Sequence, residues 1–235
     1  LNGYLSLPLV KDRVAFSVAA NYHENDGYIK DINCFASPAT RTAKTPKRRY
    51  GTEGCNTAPF ASHAVRAKLR FTPSDNLSFT LGYNYGYIND PRAYAFQASN
   101  HLGVVAGQIL AGTYAPAAGY RQAYQMRDRT SLNFQPYTPD ETNEVTLLGV
   151  LKPGDSGELT THTSYFRAWK ATDIDGDGTP ADITSIIAVI HRETFTQAID
   201  YDYKGVKNLD LLVGGFFFYD HTPYYYQQVN SFVAA

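Results

Sequence analysis

The segment "DIDGDGTPADIT", residues 173–184, sets Asp173, Asp175 and Asp177 at alternate positions ahead of Gly178. Carboxylates at loop positions one, three and five, followed by a glycine for the sharp turn, make the first half of a calcium loop, in which hard oxygen ligands converge on one cation. Position twelve is Thr184 rather than a bidentate glutamate, with Asp182 as a partial substitute. A structural calcium on the three aspartates therefore competes with a solvated acidic loop, and no other cofactor is expected. A second pattern, Gly154-Asp155-Ser156-Gly157, has the residue types that surround a serine-protease nucleophile. It falls in a tight turn with no His and Asp placed to activate Ser156, and a triad requires both. The six His are scattered, and neither a glycine-rich phosphate cradle nor a His-Glu-x-x-His helix occurs, so no enzymatic activity is expected.

Cys34 and Cys55 flank a polar segment containing Pro38, Pro46, Lys47, Arg48 and Arg49. Their number and spacing suit neither a zinc site nor a CxxC redox pair, and a loop disulfide in an oxidising compartment is the expectation. Tyr94, Phe96, Tyr114, Tyr120, Arg121, Tyr124 and Arg127 crowd one long connection, and Tyr224, Tyr225 and Tyr226 follow near the end. Rigid aromatics with arginine suit an exposed ligand-recognition surface. Residues 98–112, "ASNHLGVVAGQILAG", could hold a short helix inside that connection.

The elements that must carry these residues are strands. In "LRFTPSDNLSFTLGYNYGY", residues 69–87, Leu69, Phe71, Leu77, Phe79, Leu81, Tyr83, Tyr85 and Tyr87 alternate with Arg70, Ser78, Thr80, Gly82, Asn84 and Gly86. Period two marks a strand with one apolar and one polar face, and Pro73 to Asn76 supply the turn chemistry. The hairpin recurs at about 2–23, 63–90, 141–170 and 191–220, separated by long connections at about 25–62, 91–140, 171–190 and 220–235. Short turns near Lys11, Ser74, Asp155 and Lys207 then share one end of a sheet, and loops near Lys47, Ala111 and Gly176 the other. That asymmetry is the pattern of an outer-membrane barrel, with short periplasmic turns and long extracellular loops.

The chain has 235 residues and a formal net charge of −1, which gives no sign of a nucleic-acid partner. Aromatics reach 14% although the mean hydropathy is −0.34, because apolar side chains are diluted one-to-one with polar ones. No run of ~18 apolar residues exists, which excludes a transmembrane helix, but a transmembrane strand needs only about 10 tilted residues. Tyr22, Tyr83, Tyr85, Tyr87, Tyr165, Trp169 and Tyr219 gather toward the long-loop ends of their strands, where amphipathic rings favour a bilayer interface. Arg66, Lys68, Arg70, Glu158, His162, Asp200 and Asp202 lie on the opposite face. Such a face suits a wide watery lumen, or one filled by another domain, better than the packed core of a small barrel. Leu1 opens within a strand pattern without a signal peptide, and the tail after Tyr219 reads as a loop.

Two segments, "HAVRAKLRFTPSDNLSFTLGYNYGY" (residues 63–87) and "RETFTQAIDYDYKGVKNLDLLVGGFFFYD" (residues 192–220), resemble the barrel of TonB-dependent outer-membrane receptors. The resemblance implies a barrel of about 22 strands around a plug domain, set in the bilayer of a Gram-negative outer membrane. Its implied function is import of a scarce solute, such as a ferric siderophore, cobalamin or a glycan, with energy from TonB. The chain lacks the plug and the TonB-binding segment, so the expected fold is all-β: an open arc of about eight antiparallel strands from a larger transmembrane barrel. A self-contained eight-stranded barrel with a structural or adhesive role, and a barrel enzyme, are the alternatives.

Overall fold

A computed structural model describes residues 1–31, 56–57, 59–94, 129–130, 132, 135–154, 156–176, 178, 184–206 and 209–231. The strands are β1 (Asn2–Val10), β2 (Val14–Asn25), β3 (Ile29–Asp31), β4 (Asn56–Thr57), β5 (Phe60–Ser74), β6 (Leu77–Asn89), β7 (Arg129–Thr130), β8 (Pro139–Leu151), β9 (Gly157–Asp175), β10 (Thr184–Val206) and β11 (Leu209–Ser231). Eight of them form one sheet in the order β1-β2-β5-β6-β8-β9-β10-β11, every neighbouring pair antiparallel. β1 and β11 are the two ends of that order, so the sheet is open among the described residues. It is not a barrel closed at eight strands.

Period-two alternation makes these segments strands, and local chemistry turns them. Asp12 takes a left-handed φ of 56° in the first turn, a conformation Asp tolerates because its side chain bonds the local backbone. Pro8 sits beside a register irregularity in edge strand β1, and Pro223 lies where β11 slips register opposite Arg192. Both are places where a missing N–H removes no ladder bond. The four tight turns share one end of the sheet, because backbone hydrogen bonds join each to the next. Thr72 N–H donates to Arg13 O, Lys152 N–H to Asn76 O and Lys204 N–H to Ser156 O, each at 2.8 Å.

The register also gives the strand tilt. The row Val14, Phe71, Phe79, Gly149, Thr161, Ile199 and Gly215 crosses seven strands by direct pairing. Val14 is the first residue of β2, whereas Gly215 lies six residues beyond the start of β11 at Leu209. Six residues of ~3.3 Å gained over six inter-strand steps of ~4.8 Å correspond to a tilt of about 35° if the turns are level. That is the tilt of strands in a transmembrane barrel.

All four expected long connections are shorter than the sequence suggested. β9 and β10 extend through 171–175 and 184–190, and β11 continues through residues 220–231. The reason is cross-strand pairing: Ile186, Ile187, Val189 and Ile190 are β-branched and face Val229, Gln228, Tyr226 and Tyr225 across the ladder. β5 likewise begins at Phe60 and β8 at Pro139, inside expected connections, where the small sheet β4-β3-β7 also lies. Close packing concentrates at this end: Ala61, Asn89, Leu132, Tyr137, Ala171 and Ile174 are buried, while in the middle of the sheet the apolar face is exposed and Ser164 and Thr194 are buried on the polar face. Asp31 Oδ2 accepts the Leu132 N–H at 2.7 Å and Asn89 Oδ1 the Thr138 N–H at 2.9 Å, tying loop backbone to strand ends.

Candidate functional site

One face of the sheet is a continuous apolar band. Its rows include Phe16-Leu69-Leu81-Leu147 and Val18-Ala67-Tyr83-Val145-Tyr165-Phe195-Tyr219. Leu69, Leu81, Leu147, Ile199, Val213 and Phe217 are all exposed. Exposed apolar area on this scale marks a surface that meets something other than water. Tyr22 and Tyr165 lie eight residues above the turn ends of their strands, and Tyr219 lies ten above. At that tilt the band is ~25 Å tall, the apolar height of outer-membrane barrels. At its upper edge His63 stacks between Tyr22, at 4.7 Å, and Tyr87, at 5.4 Å, and its Nε2 lies 3.2 Å from Glu24 Oε1. Trp169 pairs with His191 in the same cross-strand row.

The other face is polar and cross-linked. Arg66, Asn84, Glu144, Phe166, Thr194 and Asp220 form one row over six strands. Arg66 Nε donates to Asn84 Oδ1 at 2.8 Å, Asn84 Nδ2 to Glu144 Oε2 at 3.0 Å, and Ser164 Oγ to Glu144 Oε1 at 2.9 Å. At the far end Asp220 Oδ1 accepts from Arg192 Nε at 2.8 Å and Thr194 Oγ1 at 2.6 Å. Charge-assisted bonds of this kind fix side chains that would otherwise sweep the space above the sheet. Asn84, Glu144, Ser164, Arg192 and Asp220 were not singled out from the sequence, where they are only polar residues between apolar ones. Their partnership depends on the register of strands up to 60 residues apart.

The loop end carries a second polar cluster. Arg92 forks onto Asp90 with two 2.6 Å bonds, and its guanidinium lies 4.7 Å from the centre of the Phe60 ring. The Arg92 hydrogen bond holds the Asp90 carboxyl below its ordinary range, against a smaller opposing effect of burial.

Of the expected site residues, those described lie on separate elements. Asp173 and Asp175 are buried strand residues at the end of β9, and Asp175 Oδ1 accepts the Gly178 N–H at 2.9 Å. Asp177 lies outside the described residues, and those described contain no cluster of three or more metal-ligating side chains. Tyr224, Tyr225 and Tyr226 belong to β11 rather than to a tail loop. Tyr224 and Tyr226 pair with His191 and Val189, and Tyr225 with Ile190, so the three alternate between faces. Tyr94 ends a 3-10 turn, Pro91–Tyr94. Phe96, Tyr114, Tyr120, Arg121, Tyr124, Arg127, residues 98–112, Cys34 and Cys55 all fall outside the described residues.

A two-faced, tilted, antiparallel wall with all tight turns at one end is the architecture of part of a large antiparallel β-barrel. Among solved structures, the chain is similar to the ferric yersiniabactin uptake receptor FyuA from Yersinia pestis, with a TM-score of 0.58 and 13% identity. The match covers 92% of this chain and 27% of the receptor, so the chain spans about a quarter of the receptor's length. No family model and no curated protein matches. At this identity the likeness shows the fold.

Proposed function

We propose that the chain forms part of the wall of an outer-membrane active-transport receptor in a Gram-negative bacterium. The receptor imports a scarce solute of the ferric-siderophore, cobalamin or glycan class, using energy transmitted by TonB. The observation that carries this reading is the pairing of a lipid-height apolar face with a hydrogen-bonded polar face on a sheet that stays open at eight strands. A sheet with unpaired edges in lipid leaves costly backbone groups exposed, so further strands complete it, and a wide barrel keeps an aqueous lumen. The other partners are the bilayer, a plug domain and TonB. The long loops form the vestibule, the polar face lines the route, and the role is transport rather than catalysis.

The test is uptake of single limiting solutes by a strain lacking the protein, with and without TonB. Loss of TonB-dependent uptake of one solute supports the reading. Unchanged uptake of every solute, with a loss of surface attachment or envelope integrity, would replace it with a structural or adhesive role.

A further inference from the structure

The two longest connections expected from the sequence, 25–62 and 91–140, are joined to each other away from the large sheet. β3 comes from the first and β7 from the second, and they pair in parallel, Lys30 with Arg129 and Asp31 with Thr130. β4, also from the first connection, lies antiparallel on the other side of β3, with Ile29 opposite Thr57 and Lys30 opposite Asn56. Asp31 Oδ2 accepts the Leu132 N–H at 2.7 Å, across 101 residues of chain. Asp31, Thr57, Thr130 and Leu132 are all buried. The three strands are short: β3 has 3 residues, β4 has 2 and β7 has 2. The second connection also has anchors of its own. Asn89 Oδ1 accepts the Thr138 N–H at 2.9 Å, and Tyr137 and Asp173 exchange two backbone bonds of 2.8 Å, so the returning chain is fixed onto β6 and β9 before β8 begins.

We infer that the β4-β3-β7 sheet is a strap through which the two connections order and open as a single unit, with the Asp31 carboxylate as its clasp. Ladders of two residues are marginal in water, so neither the β3–β4 pair nor the β3–β7 pair persists alone. A buried carboxylate keeps its charge only while donors face it, and the Leu132 N–H supplies a charge-assisted bond from the other connection. Two marginal ladders that share one strand and one buried carboxylate stand or fall together. A contact that orders one connection therefore orders the other, and the two are coupled without any change in the large sheet. This coupling is built within the chain and stands whichever solute, if any, the protein imports.

The test is amide hydrogen exchange, read by mass spectrometry, on the intact protein in detergent micelles. D31A removes the acceptor from the first connection, and L132P removes the donor from the second. D31A should speed exchange about tenfold or more across residues 129–132, and L132P should do the same at residues 56–57, on the connection it does not alter. N89A, which frees the Thr138 N–H, should leave residues 56–57 within about twofold of the parent, because the Tyr137–Asp173 bonds still hold the chain between them. Unchanged exchange across residues 65–71 of β5 shows that each variant keeps the large sheet. Should D31A fail to fold, D31N, which loses the charge but keeps an oxygen acceptor, is expected to speed exchange across 129–132 about threefold. Protection at residues 56–57 that is missing in the parent or survives L132P would overturn the inference. Equal loss of that protection in N89A would do the same.

Discussion

Placing an arginine on each face of one strand separates lipid from lumen most sharply at Leu147 and Leu148. Leu147 is 42% exposed and pairs with Leu81, itself 46% exposed, four residues above the turn end of β8 at Leu151. Four residues at ~3.3 Å and about 35° of tilt put Leu147 ~11 Å above the turns, near the middle of a ~25 Å band. L147R should therefore cost about 2–4 kcal/mol in a bilayer, the penalty of a cation at the midplane. Leu148, which faces the other way between Thr80 and His162, should tolerate arginine at a cost under about 1 kcal/mol, because a lumen-facing guanidinium stays hydrated. V65R, on the apolar face but nine residues above Ser74, sits at the interface and should cost about 0–1 kcal/mol. The assay is urea unfolding of the intact protein in phosphatidylcholine vesicles, followed by the emission of Trp169, the single tryptophan. A cost for L148R equal to or above that for L147R would refute the assignment of faces.

Three further outcomes follow from the hydrogen bonds. Asn84 bridges Arg66 to Glu144, so N84A should destabilise by about 1 kcal/mol, and a double-mutant cycle with E144Q should show coupling rather than additivity. On the apolar face Thr163 Oγ1 donates to Gln197 Oε1 at 2.6 Å; T163V/Q197L, which replaces both partners with apolar groups, should be neutral or stabilising in vesicles, and clear destabilisation would contradict a lipid-facing pair. The Asp90 carboxyl titrates lower in the folded state than in the unfolded chain, so its contribution is present above the ordinary carboxylate range and is lost as pH falls through the lowered value. As pH falls through that lowered value the Arg92 amide, which donates to Asp90 Oδ1 at 3.3 Å, should lose protection from hydrogen exchange, and D90N should remove that pH dependence.

The hairpins, their shared turn end and the division between faces were legible in the sequence, because alternation and turn residues are local signals. Leu69, Phe71, Phe79 and Leu81 had to share a face whatever their partners were. The extent of β10 and β11 was less legible: Gly176, Gly178 and Pro180 drew attention to a loop, while the β-branched run from Ile186 to Ile190 acquires its strand role from pairing with residues 225–229. The polar networks were hidden for the same reason, since nothing around Glu144 shows that Asn84 and Ser164 will stand beside it. Asp173 and Asp175 looked like loop ligands from spacing alone, yet the ladder with Ile187 and Ser185 holds them extended.

The most direct measurement is a nitroxide scan of residues 65–71 in lipid vesicles, with Cys34 and Cys55 replaced by serine and each position carrying a single label. Labels at Val65, Ala67, Leu69 and Phe71 should collide preferentially with oxygen, which partitions into lipid, and those at Arg66, Lys68 and Arg70 with a water-soluble nickel complex. The two accessibilities should oscillate out of phase with a period of two residues. In-phase oscillation, or nickel accessibility at all seven positions, would contradict a strand set between bilayer and watery lumen.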